Sequence, residues 1–354
     1  MTPTSASRPL LWPLVPIYRL GLALRELQLR KGLKPIRRLR WPVVSIGNLS
    51  SGGAGKTPLT IALAKALTAR GLHVDVLSRG YGRRRSALPL LVDPGGTAQE
   101  FGDEPLVIAR ETGVPVYVAA ERYEAGLMAE ADEFKGASER GSEGARAARD
   151  TASWPGVHLL DDGFQHRQLD RDVDILLLDR QDWQDSLLPA GNLREPLKAL
   201  RRAAVIAIPA GDPEIEAELK ASGWQGSIWR IGRRMEVPAI AGPVAAFCGI
   251  ARPEQFFAGL EAAGLRLAAR LAFPDHHRYT PADLHRLIAS ARDAGAAAFI
   301  TTEKDHVRLG KHSAAFPESL PLKTAGLRVE IEQEDETIEW LIERLAQAAH
   351  HPPL

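Results

Sequence analysis

Short apolar runs alternate along most of the chain with stretches in which apolar residues recur every three or four positions. From residue 42 onward, the runs predict buried strands and the periodic stretches predict helices. The predicted strands cover residues 42–46, 72–77, 114–118, 157–160, 173–178, 244–248, 265–272 and 297–300. Helices are predicted at 58–70 and 104–112, from residue 122, and at 253–263 and 281–294. This order predicts an α/β fold in which a parallel sheet has helices on both faces.

The pattern also predicts four parts: a basic N-terminal segment, a core domain, a smaller α/β domain and a C-terminal helix that returns to the core. In chain order these parts are residues 1–40, 41–230, 231–331 and 332–354. Two strand-like stretches, 228–237 and 322–331, are expected to pair as a two-stranded hinge between the two domains. Residues 131–153 are rich in Ala, Gly, Ser and charge, and are expected to form an irregular insertion or a mobile helix extension.

The composition is that of a soluble globular protein, with 354 residues of which 45% are apolar and 25% charged. The single cysteine, Cys248, excludes an internal disulfide framework and fits a reducing compartment. Net charge is only +1, but residues 1–40 contain nine Lys and Arg against one acid, Glu26. The basic charge is therefore concentrated at one end. Neither a nucleic-acid partner nor an obligate protein partner is expected.

The basic end is also apolar. Its longest uncharged run, residues 9–18, is about half the length of a membrane-spanning helix, and two prolines interrupt it. We therefore expect neither a spanning helix nor a cleaved signal peptide. Four apolar residues beyond this run share one helical face: Ile17, Leu20, Leu24 and Leu27. With the cations that follow, this face suits an interfacial helix on an anionic membrane, or an amphipathic helix packed on its own domain.

The clearest chemical signal is the glycine-rich stretch GNLSSGGAGKT, residues 47–57, between the first predicted strand and a helix. Glycines let backbone N–H groups converge on phosphate oxygens, and the helix N-terminus adds its dipole. Lys56 is expected to reach the phosphates of a nucleotide and Thr57 to bind Mg²⁺. Ser50 stands where the strict phosphate-loop (P-loop) pattern has glycine. The residues expected to surround the phosphates are Gly52, Gly53, Ala54, Gly55, Lys56 and Thr57. The core thus predicts a P-loop NTPase-like sheet.

Acidic residues occur at two further places where they could serve phosphate chemistry. Asp161 and Asp162 end a predicted strand, which is how a Mg²⁺-binding carboxylate is presented beside a phosphate loop. Asp103, at the start of a predicted helix, is either a simple cap or an acid that orients or deprotonates an attacking hydroxyl. The sequence alone leaves these alternatives open.

A basic turn and a histidine pair complete the candidate chemistry. The turn at residues 78–85 leaves the carboxyl end of a strand, where Arg79 or Arg83 could bind phosphate or remain solvated. His276 and His277 follow a strand of the second domain. Two imidazoles are too few for a zinc site. They are either polar loop residues or, across a cleft, a partner that polarises Asp103.

These stretches together resemble the tetraacyldisaccharide 4′-kinase family, the lipid A 4′-kinases of Gram-negative bacteria. The matching segments occur in family order: GNLSSGGAGKTP (47–58), SRGYGR (78–83), FGDEP (101–105), LLDDGFQH (159–166), LLPAGNLREP (187–196), FPDHHRY (273–279) and TTEKD (301–305). The family shares the serine in the phosphate loop, and the basic amphipathic start also matches.

The resemblance implies a kinase that uses ATP and Mg²⁺ to phosphorylate the 4′-hydroxyl of a lipid A disaccharide 1-phosphate precursor. It implies a peripheral location on the cytoplasmic face of the bacterial inner membrane. Asp103 would be the base, paired with His276, and Lys56 would act on the phosphates. The implied metal-proximal residues are Thr57, Glu104, Asp161 and Asp162. Further implied site residues are Asn48, Ser50, Arg79, Arg83, Gln165, His166, Arg194 and Glu195. The choices between His276 and His277, and between Arg79 and Arg83, stay open.

Two other classes share parts of the pattern. Membrane-surface regulatory ATPases of the partition or Min type have a lysine where this chain has Ser51. GTPases read guanine with an N-K-x-D motif, whereas the segment 302–305 has its lysine one place late. Neither class accounts for the second domain or its histidines.

Overall fold

The structure, a computed structural model, describes residues 8–52, 55–84, 86, 88–139 and 156–350. Its strands are β1 (Val43–Asn48), β2 (Val74–Ser78), β3 (Leu90–Leu91), β4 (Val116–Val118), β5 (Val157–Asp161), β6 (Val173–Leu177), β7 (Val205–Pro209), β8 (Ser227–Glu236), β9 (Val244–Cys248), β10 (Leu267–Ala272), β11 (Ala298–Thr302) and β12 (Leu322–Ile331). Across the described ranges they form one twelve-stranded sheet in the order β10-β9-β11-β12-β8-β7-β6-β1-β5-β2-β4-β3. The pairs are parallel except β8 with β12 and β3 with β4.

Helices cover both faces of this sheet. They are α1 (Val15–Arg30), α2 (Lys56–Ala69), α3 (Ala98–Phe101), α4 (Asp103–Thr112), α5 (Arg122–Glu139), α6 (Arg180–Gln184), α7 (Pro213–Ala221), α8 (Pro253–Ala262), α9 (Pro281–Asp293), α10 (Glu303–Leu309) and α11 (Glu334–His350). Short 3₁₀ helices span Pro9–Leu14, Leu197–Arg202 and Gly310–Ala315. The predicted α/β class, with its mostly parallel sheet, is confirmed.

The centre of the sheet positions the phosphate loop. β1 lies between β5 and β6, and Ile46 of β1 is in register with Asp161 at the end of β5. Since the carboxyl ends of parallel strands meet at one edge, the loop after β1 emerges beside the aspartates after β5. One face of these strands packs on α2, α4 and α11 through a core that includes Leu63, Ile108 and Leu341. The returning C-terminal helix is therefore part of this core.

The second lobe, which we define as residues 244–315, has its own core on both faces of β9 and β11. Phe247 and Phe299 point to one face and Phe256 and Phe257 pack on the other. The antiparallel ribbon of β8 and β12 connects this lobe with the rest of the sheet. The two stretches predicted to pair do so. The division of the chain into domains, and the action of the ribbon as a hinge, stay predictions.

Three elements differ from the expectation. The sequence analysis left out β7, α7 and α10, although each has a start or burial signal. Helix α10 begins at a cap in which the Thr302 side chain accepts a hydrogen bond from the backbone N–H of Asp305. Helix α5 continues to Glu139, as the helix-extension alternative for 131–153 requires. The rest of that segment lies outside the described residues.

Candidate active site

The end of β1 and the start of α2 hold in place Lys56, the lysine predicted to reach the phosphates of a nucleotide. Lys56 Nζ donates to Asn48 Oδ1 at 3.0 Å and lies 3.5 Å from Asp162 Oδ1. Gly55 caps α2 with φ +83°, a backbone conformation that favours glycine. The Asn48 amide in turn donates to Ser50 Oγ at 3.0 Å. The loop therefore presents an ammonium group and a helix N-terminus together. The predicted phosphate-binding residues Gly53 and Ala54 lie outside the described residues.

The two strand-end aspartates have opposite electrostatic environments. Asp162 accepts two hydrogen bonds from Arg194, at 2.8 and 3.1 Å, besides its contact with Lys56. Burial opposes ionisation, but Lys56 and Arg194 outweigh it and hold the pKa of Asp162 below its usual range. Asp161 accepts from the Thr60 hydroxyl at 3.2 Å. Burial first, and then the charges of Glu104 and Asp162, raise the pKa of Asp161 to about 7. A buried carboxyl of this kind is stabilised by a nearby cation.

A second acidic centre forms where α4 meets the second lobe. Asp103 Oδ2 lies 3.2 Å from His276 Nδ1 and accepts from Arg308 Nε at 2.7 Å. His277 instead pairs with Asp283 at 3.0 Å. Of the two candidate histidines, His276 is the one beside Asp103. Burial raises the pKa of Asp103, but the hydrogen bond from His276 and the charge of Arg308 hold it well below its usual range.

Lys304 links the two acidic centres. Its Nζ donates to Glu104 Oε1 at 2.6 Å, next to Asp103 on α4. Burial alone would lower the pKa of Lys304, but Glu104 and Asp103, with a smaller contribution from Asp161, raise it. The charge of the ammonium therefore acts on Asp161 as well as on the Asp103 cluster. Lys304 belongs to the TTEKD segment, for which the sequence alone indicates no role.

The remaining predicted site residues divide into two groups. Gln165 donates from its amide to the Asn48 carbonyl at 3.0 Å, and Arg194 contacts the Asn48 side chain at 2.6 Å. Both lie at the phosphate loop. Glu195 instead accepts two hydrogen bonds from Arg202, at 2.7 and 3.2 Å, and so faces that arginine.

A cationic group surrounds His166. Burial first, followed by the neighbouring guanidinium groups of Arg122, Arg171, Arg25 and Arg79, lowers the pKa of His166 to about 4. Arg122 is a residue that the sequence analysis missed. Burial and the charge of Arg79 lower its pKa to about 10, while Asp162 and Asp161 oppose that shift. Its place at the first turn of α5, after a parallel strand, was the available signal. Arg83 is partly buried, and its side chain lies close to Gly80 in the same turn.

Only one face of helix α1 packs against the rest of the protein, next to the phosphate loop. Val15 is buried, and Tyr18 and Leu22 pack with it on a core that includes Leu49 and Leu193. The Tyr18 hydroxyl donates to the Arg194 carbonyl at 2.9 Å. The other face of α1 is exposed, with exposed fractions of 67% at Ile17, 60% at Leu20, 52% at Leu24 and 46% at Leu27. This apolar face does not pack on the protein's own core, which was one of the two alternatives that the sequence left open. Within the described ranges, no helix has both the length and the apolar content to span a bilayer.

A phosphate loop between a parallel strand and a helix, faced by strand-end aspartates and by a buried aspartate paired with a partly exposed histidine, defines an α/β phosphotransferase. The chain belongs to the tetraacyldisaccharide-1-P 4′-kinase family, whose model matches residues 7–346. The family predicted from the sequence motifs is confirmed. The protein is thus a kinase with an alcohol group as acceptor, and the regulatory ATPase and GTPase alternatives lose their basis.

Individual relatives agree with this assignment. A tetraacyldisaccharide 4′-kinase of Koribacter versatilis is 41% identical over 309 residues, which cover 84% of this chain and 88% of that protein. One from Anaeromyxobacter dehalogenans (strain 2CP-C) is 39% identical over 338 residues, covering 88% and 83%. Among solved structures, LpxK from Aquifex aeolicus in complex with ATP superposes with a TM-score of 0.68 at 30% identity, covering 96% of this chain and 99% of that one.

Proposed function

We propose that this protein transfers the γ-phosphoryl group of ATP to the 4′-hydroxyl of a tetraacylated glucosamine disaccharide 1-phosphate, a step of lipid A biosynthesis. The observation that supports this most is the position of Lys304. Its ammonium group donates to Glu104, the residue after Asp103, at 2.6 Å, and its charge also acts on Asp161. A group that can activate a hydroxyl and a group that can hold a nucleotide therefore share one site.

The donor side would be held by the phosphate loop. Lys56 and the N-terminus of α2 supply positive potential for the phosphates, and Arg194 steadies Asp162 beside them. The site also fits Mg²⁺, because the buried Asp161 carboxyl lies in the field of Glu104 and Asp162, and a cation beside it would favour its ionised form. Ligands would come from the Thr57 hydroxyl and the carboxylates of Glu104, Asp161 and Asp162, and Mg²⁺ bound there would neutralise charge on the phosphates. Among the described residues no three acidic or histidine side chains are grouped so as to hold a metal by themselves, so phosphate oxygens and water would complete the coordination.

The acceptor side would be organised by Asp103. In the transfer, the 4′-oxygen bonds to the γ-phosphorus, the bond from that phosphorus to the bridging oxygen of ADP breaks, and the hydroxyl proton leaves. The Asp103 carboxylate, ionised by its contacts, can accept the hydrogen bond of that hydroxyl and orient it. His276 adjoins the same carboxylate at 3.2 Å and can take up the proton.

The exposed face of α1 would rest on the membrane surface. Leu20 and Leu24 are more than half exposed, and basic residues such as Lys31 and Lys34 follow on the surface. The inner face of the same helix contacts Arg194 through Tyr18. Because exposing acyl chains to water costs about 0.8 kcal/mol per CH₂ group, a site beside the bilayer spares the substrate that extraction. We infer a peripheral location at the inner membrane, on its cytoplasmic side.

The test is a transfer assay with γ-labelled ATP and the tetraacyl disaccharide 1-phosphate in detergent micelles. We expect Mg²⁺-dependent appearance of label in the lipid phase, on the 4′-position. Asp103→Asn should bind ATP normally and fail to label the lipid. Label released only as inorganic phosphate, at a rate independent of the lipid, would contradict the proposal and favour a regulatory ATPase.

A further inference from the structure

Asp103 is held by a guanidinium group that the sequence motifs do not include. Arg308, on α10 of the second lobe, donates to Asp103 Oδ2 from Nε at 2.7 Å and also from Nη2. The side chains of both residues are almost fully buried, with exposed fractions of 6% for Arg308 and 4% for Asp103. Two donors of one guanidinium group that meet on a single carboxylate oxygen hold that oxygen in place.

Arg308 is itself anchored by a fully buried carboxylate. Its Nη1 donates to Asp305 Oδ1 at 3.0 Å. Asp305 also accepts from the Tyr279 hydroxyl at 3.0 Å, the Thr302 hydroxyl at 2.7 Å and the backbone N–H of Gly249 at 3.1 Å. Through Asp305, this network connects the end of β9, helix α10 and the loop before α9 to the guanidinium group of Arg308. A helix cap alone would need only the contact with Thr302.

The same guanidinium group also contacts His276. Nδ1 of His276 lies 3.2 Å from Asp103 Oδ2 and 3.2 Å from Arg308 Nη2. Arginine nitrogens donate and do not accept, whereas a carboxylate only accepts. When Nδ1 carries a hydrogen, it can donate to Asp103 but repels the donor group of Arg308. When Nδ1 carries no hydrogen, it can accept from Arg308 but cannot bond to Asp103. The protonation of His276 is coupled to both neighbours.

We propose that Arg308 is a positioning residue: it holds the Asp103 carboxylate of the Asp103–His276 pair in place and aims it at the acceptor hydroxyl. This inference rests on the proposed function of that pair. The charged groups facing the pair are Glu104 on α4, Lys304 and Arg308 on α10, and Asp275 on the histidine loop. Arg308 is the cation among them that contacts both members.

Electrostatics support this geometry. The hydrogen bond from Asp103 raises the pKa of His276, burial opposes it, and Arg308 lowers it further. Arg308 also lowers the pKa of Asp103.

The experiment introduces Arg308→Gln into the wild-type protein and into the Asp103→Asn variant. We expect kcat for lipid phosphorylation to fall by about 10²-fold in Arg308→Gln, as misplacement of a reacting group does, while KM for the lipid and the affinity for ATP stay within about twofold. In the Asp103→Asn variant the same substitution should lower kcat little further, because Arg308 acts through Asp103. Arg292→Gln, at an exposed arginine in the last turn of α9, is the matched control.

A merely structural role for Arg308 would lower kcat and weaken ATP binding together, and by the same factor with or without the Asp103 carboxylate. Either result, or an unchanged kcat in Arg308→Gln, overturns the inference. Circular dichroism and ATP binding establish folding. If Arg308→Gln does not fold, Arg308→Ala is assayed with millimolar guanidinium ion, which should restore much of kcat and which overturns the inference if it does not. If Asp103→Asn keeps full activity, the proposed role of Asp103 is wrong, whatever Arg308→Gln does.

Discussion

The two sides of the site are built in different ways. On the donor side, Asn48, Lys56 and Asp162 come from neighbouring strand ends and one helix, and they contact each other directly within the core. On the acceptor side, Asp103 meets His276 and Arg308 across 173 and 205 residues of chain. The donor side is therefore fixed by local geometry, whereas the acceptor side depends on how the second lobe is placed against α4. Substitutions on the two sides should separate nucleotide binding from phosphoryl transfer.

Lys56→Ala should have the largest effect, because it removes the cation aimed at the phosphates. We expect kcat/KM for lipid phosphorylation to fall by roughly 10⁴-fold, within the range found for charge clamps in phosphoryl transfer. Binding of ATP, measured by equilibrium dialysis, should weaken as well. Lys65→Ala, an exposed lysine of the same helix that pairs with Glu111, is the control and should remain near wild type.

Asp103→Asn should affect transfer and leave nucleotide binding intact. The amide keeps the shape of the carboxylate but cannot accept a proton, so we expect a loss of about 10³-fold in kcat. The dissociation constant for ATP should stay within about twofold if the two sides are as separate as the contacts indicate. A variant that loses ATP binding to the same degree as turnover would show that the sides are not separate.

The contrast also explains what could be predicted from sequence. The phosphate loop and the Asp161–Asp162 pair follow apolar runs that identify buried strands, so their meeting at one sheet edge follows from parallel topology. The pairing of Asp103 with His276, and not with His277, came only as an implication of family resemblance. Arg308 could not be predicted, because a charged residue on a short helix has no sequence signal until its partner is in place. Lys304 lies in the TTEKD segment, but its partner Glu104 is 200 residues away, so its role could not be predicted from that segment. Long-range ion pairs depend on tertiary packing, which periodicity does not encode.

His276→Ala and His277→Ala form a matched pair on adjacent residues. The first removes the ring beside Asp103 and should lower kcat by about 10²-fold, as loss of a proton-transfer partner does. The second removes a ring that pairs with Asp283 at 3.0 Å, and should change kcat only by a few fold. Steady-state kinetics in micelles measure both. Equal losses would remove the distinction between the two histidines.

Asp161→Asn should show how much the ionised Asp161 carboxylate destabilises the folded protein. In the folded protein its pKa is raised to about 7, from 3.8. The folded state therefore retains a proton that the unfolded chain has lost, and stability falls as the pH rises from about 4 through 7. Without Mg²⁺, the variant should melt about 2–4 °C above wild type at pH 8 and show no gain near pH 4. A gain of equal size at both pH values would exclude this electrostatic cause.

The outer face of α1 offers the smallest expected effect on chemistry and tests whether the donor side is also the membrane side. Leu20→Glu with Leu24→Glu should weaken binding to anionic vesicles by at least about tenfold, because each buried leucine contributes roughly 1.5–3 kcal/mol. Turnover of substrate dispersed in detergent should change little, since Tyr18 and Leu22 still pack the inner face.

Leu88→Glu, at a leucine that is 71% exposed elsewhere on the surface, is the control. Vesicle co-sedimentation and the micelle assay separate the two outcomes. If vesicle binding survives while turnover in micelles is lost, α1 supports the active site through Arg194 and does not bind the membrane.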